Sequence, residues 1–233
     1  MSKKLFMQAI SKFFFGFLFV ATLLFLSAGT LYYWNAWLLL AILFIPMFIS
    51  GLVMMIFSPE LLKKRLNAKE SEKEQQQVIK FSALMFITAF LTAGFSFRFH
   101  WLRLSPNISY VAAVIFLLAY GLYAEVLREN AYLARTIEVQ EGQKVIDTGL
   151  YSIVRHPMYA ATLLLFLAMG LVLGSLVSFL ILLAYLPLIV KRIRNEEVVL
   201  VRDLQGLSII NISEPKKRTP ISLSYPRDGN KNI

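Results

Sequence analysis

Cysteine is absent from the 233 residues and histidine occurs only twice. Disulfides, thiol nucleophiles and Cys-based metal sites are thereby excluded. The histidines, His100 and His156, fall on opposite sides of the apolar runs described below, which argues against a His-based metal site. Charge is also scarce: 16% of residues are Asp, Glu, Lys or Arg, against 58% apolar and a mean hydropathy of +0.63. That balance excludes a water-soluble globule of this size. Aromatic residues are abundant, with 19 Phe, 10 Tyr and 3 Trp. A formal charge of +10 would suggest a nucleic-acid partner in a soluble chain. In a chain this apolar it reflects positively charged cytoplasmic loops, so the expected partner is the lipid bilayer and not nucleic acid. No sequence feature points to a protein partner.

A helix needs about 20 apolar residues to cross the hydrocarbon. Four largely apolar runs come near that length: Phe13 to Tyr33 and Ala36 to Phe57, without charge, and Val78 to Phe97 and Ile108 to Val126, each with a single charge near one end (Lys80 and Glu125). Trp34 to Trp37 forms an aromatic turn suited to the headgroup level. Ser58-Pro59 ends the second run, and residues 58–77, with Glu70, Glu72, Glu74 and Gln75 to Gln77, read as a solvated loop and surface helix. The first three spans show no polar constellation and are expected to serve packing and lipid contact. Residues 159–190 carry no charge, too long for one straight span and short for two, and Gly174-Ser175 divides them. Each half is roughly 22 Å long at 1.5 Å per residue, which predicts a helical hairpin that tilts, thins the bilayer or stops short of crossing. The expectation is an all-α polytopic integral membrane protein of five to six helices with a C-terminal helical hairpin. All but Arg98 and Arg103 of the 24 Lys and Arg fall in segments that share one side if both termini are cytoplasmic.

The chemistry is expected after the fourth span. Thr148-Gly149-Leu150-Tyr151 precedes Arg155-His156-Pro157-Met158-Tyr159, and Pro157 suits the first turn of a helix, where its missing N–H would have no partner anyway. Backbone N–H groups and the helix dipole at that start favour a negatively charged ligand group. At the other end of the hairpin, Arg192 and Glu196 are four apart and share a helix face. A hairpin joins its ends, so His156, Tyr159, Arg192 and Glu196 are expected to form one polar pocket at the cytoplasmic surface. On spacing alone, plainer readings hold. Arg192 and Glu196 make an exposed pair contributing about 0.3 to 0.5 kcal/mol. His156 is an interfacial residue, Tyr159 belongs to an aromatic belt, Tyr151 is a turn residue, and Glu125 and Glu129 are solvated at the headgroup level.

These residues resemble the isoprenylcysteine carboxyl methyltransferase family and the related phospholipid methyltransferases. The resemblance rests on Gln140-x-x-Gln143-x-Val145-x-x-Thr148-Gly149-x-Tyr151, Arg155 to Tyr159, Leu173-Gly174-Ser175, and Arg192-x-x-x-Glu196-Glu197 followed by Leu200. It implies an integral membrane enzyme that uses S-adenosylmethionine. It also implies that Gln140, Gln143, Lys144, Val145, Ile146, Tyr151, His156, Pro157, Met158, Tyr159 and Glu196 line the cofactor site, while Arg192 holds a lipid-like methyl acceptor. The chain then divides into N-terminal spans (1–126), a methyltransferase region (127–206) and an atypical tail (207–233). That tail, with Pro215, Pro220, Pro226 and Lys216-Lys217-Arg218, departs from the aromatic and basic stretch that closes the site in the family. It reads as disordered or as a membrane-surface segment.

The expected reaction is methyl transfer to a carboxylate, because a planar Arg fork grips a carboxylate through two parallel hydrogen bonds. A phospholipid amine is the alternative acceptor, with Glu196 or Glu197 taking the proton. A non-catalytic protein that has kept the fold without its closing element is the third reading.

Overall fold

The computed structural model describes residues 3–66, 73–130 and 148–203. The apolar runs become helices: α1 (Lys3–Ala28), α2 (Trp34–Phe57), α4 (Lys73–Phe99) and α5 (Pro106–Glu129), with a short α3 (Pro59–Leu66) between α2 and α4. A 3-10 turn (Gly149–Ser152) leads to α6 (Pro157–Val172), α7 (Leu176–Leu182) and α8 (Tyr185–Asp203). Five helical stretches among the described residues are long and apolar enough to cross a membrane, the fifth being Leu176–Val198 through α7 and α8. The protein is an all-α, polytopic integral membrane protein, as its composition requires.

Small residues allow the helices to approach closely, as lipid-embedded packing favours. Ala89, Ala93, Ala112, Ala113, Ala119, Ala161 and Ala168 are all buried, and α1 packs on α4 while α5 packs on α6. Phe166 sets its ring edge against both Phe86 and Tyr185, joining α4, α6 and α8. Large apolar side chains such as Phe15, Leu18, Ile56 and Leu118 are exposed, the outward face that hydrocarbon would cover.

The hairpin is α6 turning at 173–175 into α7 and α8. Its second arm is broken at Leu183-Ala184, where Ala184 bonds Ile181 and Leu186 bonds Leu183 in tight turns. Pro187 accounts for the break: it has no N–H to offer the Leu183 carbonyl, and its ring crowds that carbonyl. Gly170 permits close contact between the arms, since a Cβ there would lie 2.6 Å from the Phe179 backbone.

The depth of the hairpin, open on sequence, follows from its tip. The last carbonyls of a helix have no partner within it, and those of α6 are met from three other elements. The Tyr33 hydroxyl donates to Leu173 O at 2.6 Å, Asn35 Nδ2 to Val172 O at 2.9 Å and Ser109 Oγ to Leu171 O at 3.1 Å. Leu104 N–H donates to Gly174 O at 2.9 Å, Leu176 N–H to Leu102 O at 3.2 Å, and Ser175 Oγ to Ser96 Oγ at 2.9 Å. The tip therefore lies level with the α1–α2 and α4–α5 turns. The hairpin runs as deep as the four long helices although α6 is only 16 residues long. This corrects the expectation that the first three spans hold no polar constellation: Ser27, Tyr33 and Ser96 are buried at their ends, beside Asn35 from the turn between the first two.

Candidate functional site

The open end of the hairpin is where α6 begins and α8 continues beyond the apolar run. Pro157 is buried at the first position of α6, and His156 precedes it without bonding the helix start. The His156 ring instead meets α8, with Nε2 3.1 Å from Glu197 Oε1. An ionised carboxylate only accepts, so the imidazole carries its proton on Nε2 in this contact.

Tyr159, two residues into α6, is the hub. It is buried, its hydroxyl donates to Glu196 Oε2, and it accepts a hydrogen bond from Arg192 Nε at 3.2 Å. The guanidinium carbon lies 6.0 Å from the Tyr159 ring centroid, and the His156 ring lies 5.7 Å from it. Arg192 and Glu196 share a face of α8 by their spacing, and the phenol links them. The hairpin thus gathers His156, Tyr159, Arg192 and Glu196 and adds Glu197. Each half-buried charge gains an opposite charge or a hydrogen-bonding partner, which offsets part of its desolvation.

Tyr151 reaches the cluster from the preceding 3-10 turn. Its hydroxyl accepts from Asn130 Nδ2 at 2.9 Å. Burial pushes the Tyr151 phenol above its ordinary value, and the nearby Glu196 and Glu129 carboxylates act in the same direction against the Asn130 bond. Glu129 is not a freely solvated headgroup-level residue. Both of its carboxylate oxygens accept the Leu150 N–H, at 3.2 and 3.0 Å, and fasten the turn to the end of α5. Glu125 instead pairs with Arg128 at 2.5 Å on the exposed side of α5. Met158 is half-buried against the core. Gln140, Gln143, Lys144, Val145 and Ile146 lie outside the described residues.

Gln75 is a second correction. Of the three glutamines read as solvated, Gln76 and Gln77 are exposed, but Gln75 retains 1% of its surface. Its Nε2 donates to the Arg192 carbonyl at 3.2 Å, setting the start of α4 on α8. The sequence held a usable signal: Gln75, Val78, Met85, Ala89, Ala93 and Ser96 recur at helical spacing, and all are buried.

Among the described residues no group of three or more His, Asp or Glu is arranged to hold a metal. The donor set suits an organic cation with polar substituents. Two carboxylates lie at the Tyr159 hydroxyl and the His156 ring nitrogen, and carboxylates and aromatic faces both attract a sulfonium-type cation. Arg192 offers the complementary charge.

Residues 107–204 match the model of the phospholipid methyltransferase family. The matched stretch contains nearly all of α5, the whole hairpin and α8, and hence the His156, Tyr159, Arg192 and Glu196 cluster. The match supports a membrane methyltransferase with a lipid-like substrate. No curated protein and no solved structure matches the chain.

Proposed function

We propose that the protein transfers a methyl group from S-adenosylmethionine to the polar head of a lipid-like acceptor, and that the reaction occurs at the open end of the hairpin. The observation that carries this reading is the single hydroxyl of Tyr159 bonded to both Arg192 and Glu196, within the stretch that matches the family. The sulfonium nucleoside, when bound, supplies a methyl group with a good leaving group built in. The chain has mainly to bind and align, and no covalent enzyme intermediate is required.

Tyr151, His156, Pro157, Met158, Tyr159 and Glu196 would line the donor side, together with Gln140 and the Gln143–Ile146 segment. Tyr159 and His156 would offer ring faces to the cation, and Glu196 and Glu197 the opposing charge. Arg192, with its Nε held by Tyr159, would orient a carboxylate acceptor. A carboxylate is already a nucleophile at neutral pH, so carboxyl O-methylation of the isoprenylcysteine type needs no base, and the resemblance in sequence favours it. The second reading, with which the family match agrees equally well, is N-methylation of a phospholipid amine, in which Glu196 or Glu197 takes up the amine proton. Both termini would be cytoplasmic, placing the site at the inner leaflet, where a soluble methyl donor arrives.

The test is a radiolabelled methyl-donor assay on membranes containing the protein, followed by base. Methyl esters release volatile methanol and methylamines do not, so the fate of the label separates the two acceptors. Absence of transferred label, together with no saturable heat on titrating S-adenosylhomocysteine into purified protein, would leave the non-catalytic reading.

A further inference from the structure

Gln75 and Asn195 share an unusual condition. Gln75 Oε1 and Asn195 Nδ2 are buried and have no hydrogen-bond partner among the described residues, a state that folded proteins seldom leave uncompensated. Gln75 stands in the first turn of α4, and its Nε2 bonds the carbonyl of Arg192 at 3.2 Å. Asn195 follows Arg192 by three residues on α8, hence on a neighbouring part of the same helical surface. One orphan is an acceptor and the other a donor, both next to the turn that carries Arg192 and Glu196. Gln75 also belongs to α4, outside the family-matched stretch, and α4 is a membrane span whose first turn marks the level of a lipid headgroup.

We propose that Gln75 and Asn195 form a carboxamide pair that receives the polar head of the methyl acceptor beside Arg192; this rests on the methyltransferase reading above. The complement of the pair is a group presenting an N–H next to an anionic oxygen. The N–H donates to Gln75 Oε1 and the oxygen accepts from Asn195 Nδ2. An N-acylated S-prenyl cysteine offers an amide N–H beside a carboxylate, and an aminophospholipid offers an ammonium beside a phosphate. The shared chemistry is the same, and the pair selects for headgroups over plain fatty carboxylates, which carry no N–H.

The test uses full-length protein in lipid nanodiscs, with N-acetyl-S-farnesylcysteine and phosphatidylethanolamine as separate acceptor probes. Gln75→Leu and Asn195→Leu are compared with the unaltered chain. For whichever probe is methylated, the acceptor KM rises roughly tenfold on loss of one hydrogen bond. S-adenosylhomocysteine affinity, read by calorimetry, stays the same. Asn195→Leu melts no lower than the unaltered protein without ligands, because the substitution removes a buried unpaired donor. An unchanged acceptor KM overturns the proposal. So does a fall in S-adenosylhomocysteine affinity that parallels the loss of transfer, or a lower melting temperature for Asn195→Leu, either of which marks a donor-side or purely structural role. If the unaltered protein methylates neither probe, the methyltransferase reading itself fails and this inference goes with it.

Discussion

Asn35 Nδ2 lies 2.9 Å from the carbonyl oxygen of Val172, 137 residues further along the chain, and 3.0 Å from Ser109 Oγ. One side chain at the start of α2 thus ties the hairpin tip to α5. Asn35→Ala leaves a buried carbonyl without that donor, and the expected cost is about 1 to 3 kcal/mol. Thermal unfolding in detergent should show a clear fall in melting temperature. Asn107→Ala, at an exposed position in the first turn of α5, should shift it little.

The existence and order of the four long helices were legible because a bilayer demands about 20 apolar residues per crossing, but their ends were not: α1 covers Lys3–Ala28 and not 13–33, and α4 covers Lys73–Phe99 and not 78–97. The pairing of His156 and Tyr159 with Arg192 and Glu196 followed from a turn at Gly174-Ser175, which makes the ends of the hairpin neighbours. The depth of the hairpin was not legible: run length alone left tilting, bilayer thinning and an incomplete crossing equally open, and only the bonds from Tyr33, Asn35 and Leu104 to the carbonyls at 172–174 fix its tip. Glu129 escaped because its partner, Leu150, is 21 residues away in the chain and no local pattern links them. The burial of Gln75 was missed because a run of three glutamines beside acidic residues reads as solvated, although its spacing from Val78 and Met85 puts it on the buried face of α4.

Removing the Tyr159 hydroxyl tests the hub. Tyr159→Phe keeps the ring and its packing but deprives Glu196 of a donor and Arg192 of an acceptor. Hydrogen bonds to charged groups contribute about 1.5 to 3 kcal/mol, so S-adenosylhomocysteine affinity should fall by roughly one to two orders of magnitude. Calorimetric titration measures it. Wild-type affinity in Tyr159→Phe would remove the phenol from the proposed site.

The Tyr151 phenol is held above its ordinary value of 10.0 by burial, reinforced by the Glu196 and Glu129 carboxylates. The folded chain therefore keeps this proton at pH values where the unfolded chain releases it. The resulting stability is fully present below that ordinary value and is lost as pH rises through the higher folded value. A difference absorbance titration of wild type against Tyr151→Phe should place the phenolate midpoint of this residue above the ordinary one. A midpoint at or below the ordinary value would mean that water reaches the hydroxyl.

Two glycines separate packing from mere helix propensity. At Gly170 an added Cβ would lie 2.6 Å from both Cα and N of Phe179, and backbone atoms cannot swing aside as a flexible side chain can. Gly121 has nothing within 4 Å of the same construction. Gly170→Ala should therefore cost about 1 to 3 kcal/mol by overpacking, whereas Gly121→Ala should be neutral or slightly stabilising, since Ala is the better helix former. The consequence extends to the open end of the hairpin. Forcing α6 and α7 apart near the tip changes how α8 lies on α6, and the bonds from Tyr159 to Glu196 and from His156 to Glu197 depend on that approach. Gly170→Ala should lower both the melting temperature and S-adenosylhomocysteine affinity. A variant that melts lower but binds normally would show that α8 is held in place by α4, through Gln75, and not by the close contact at the tip.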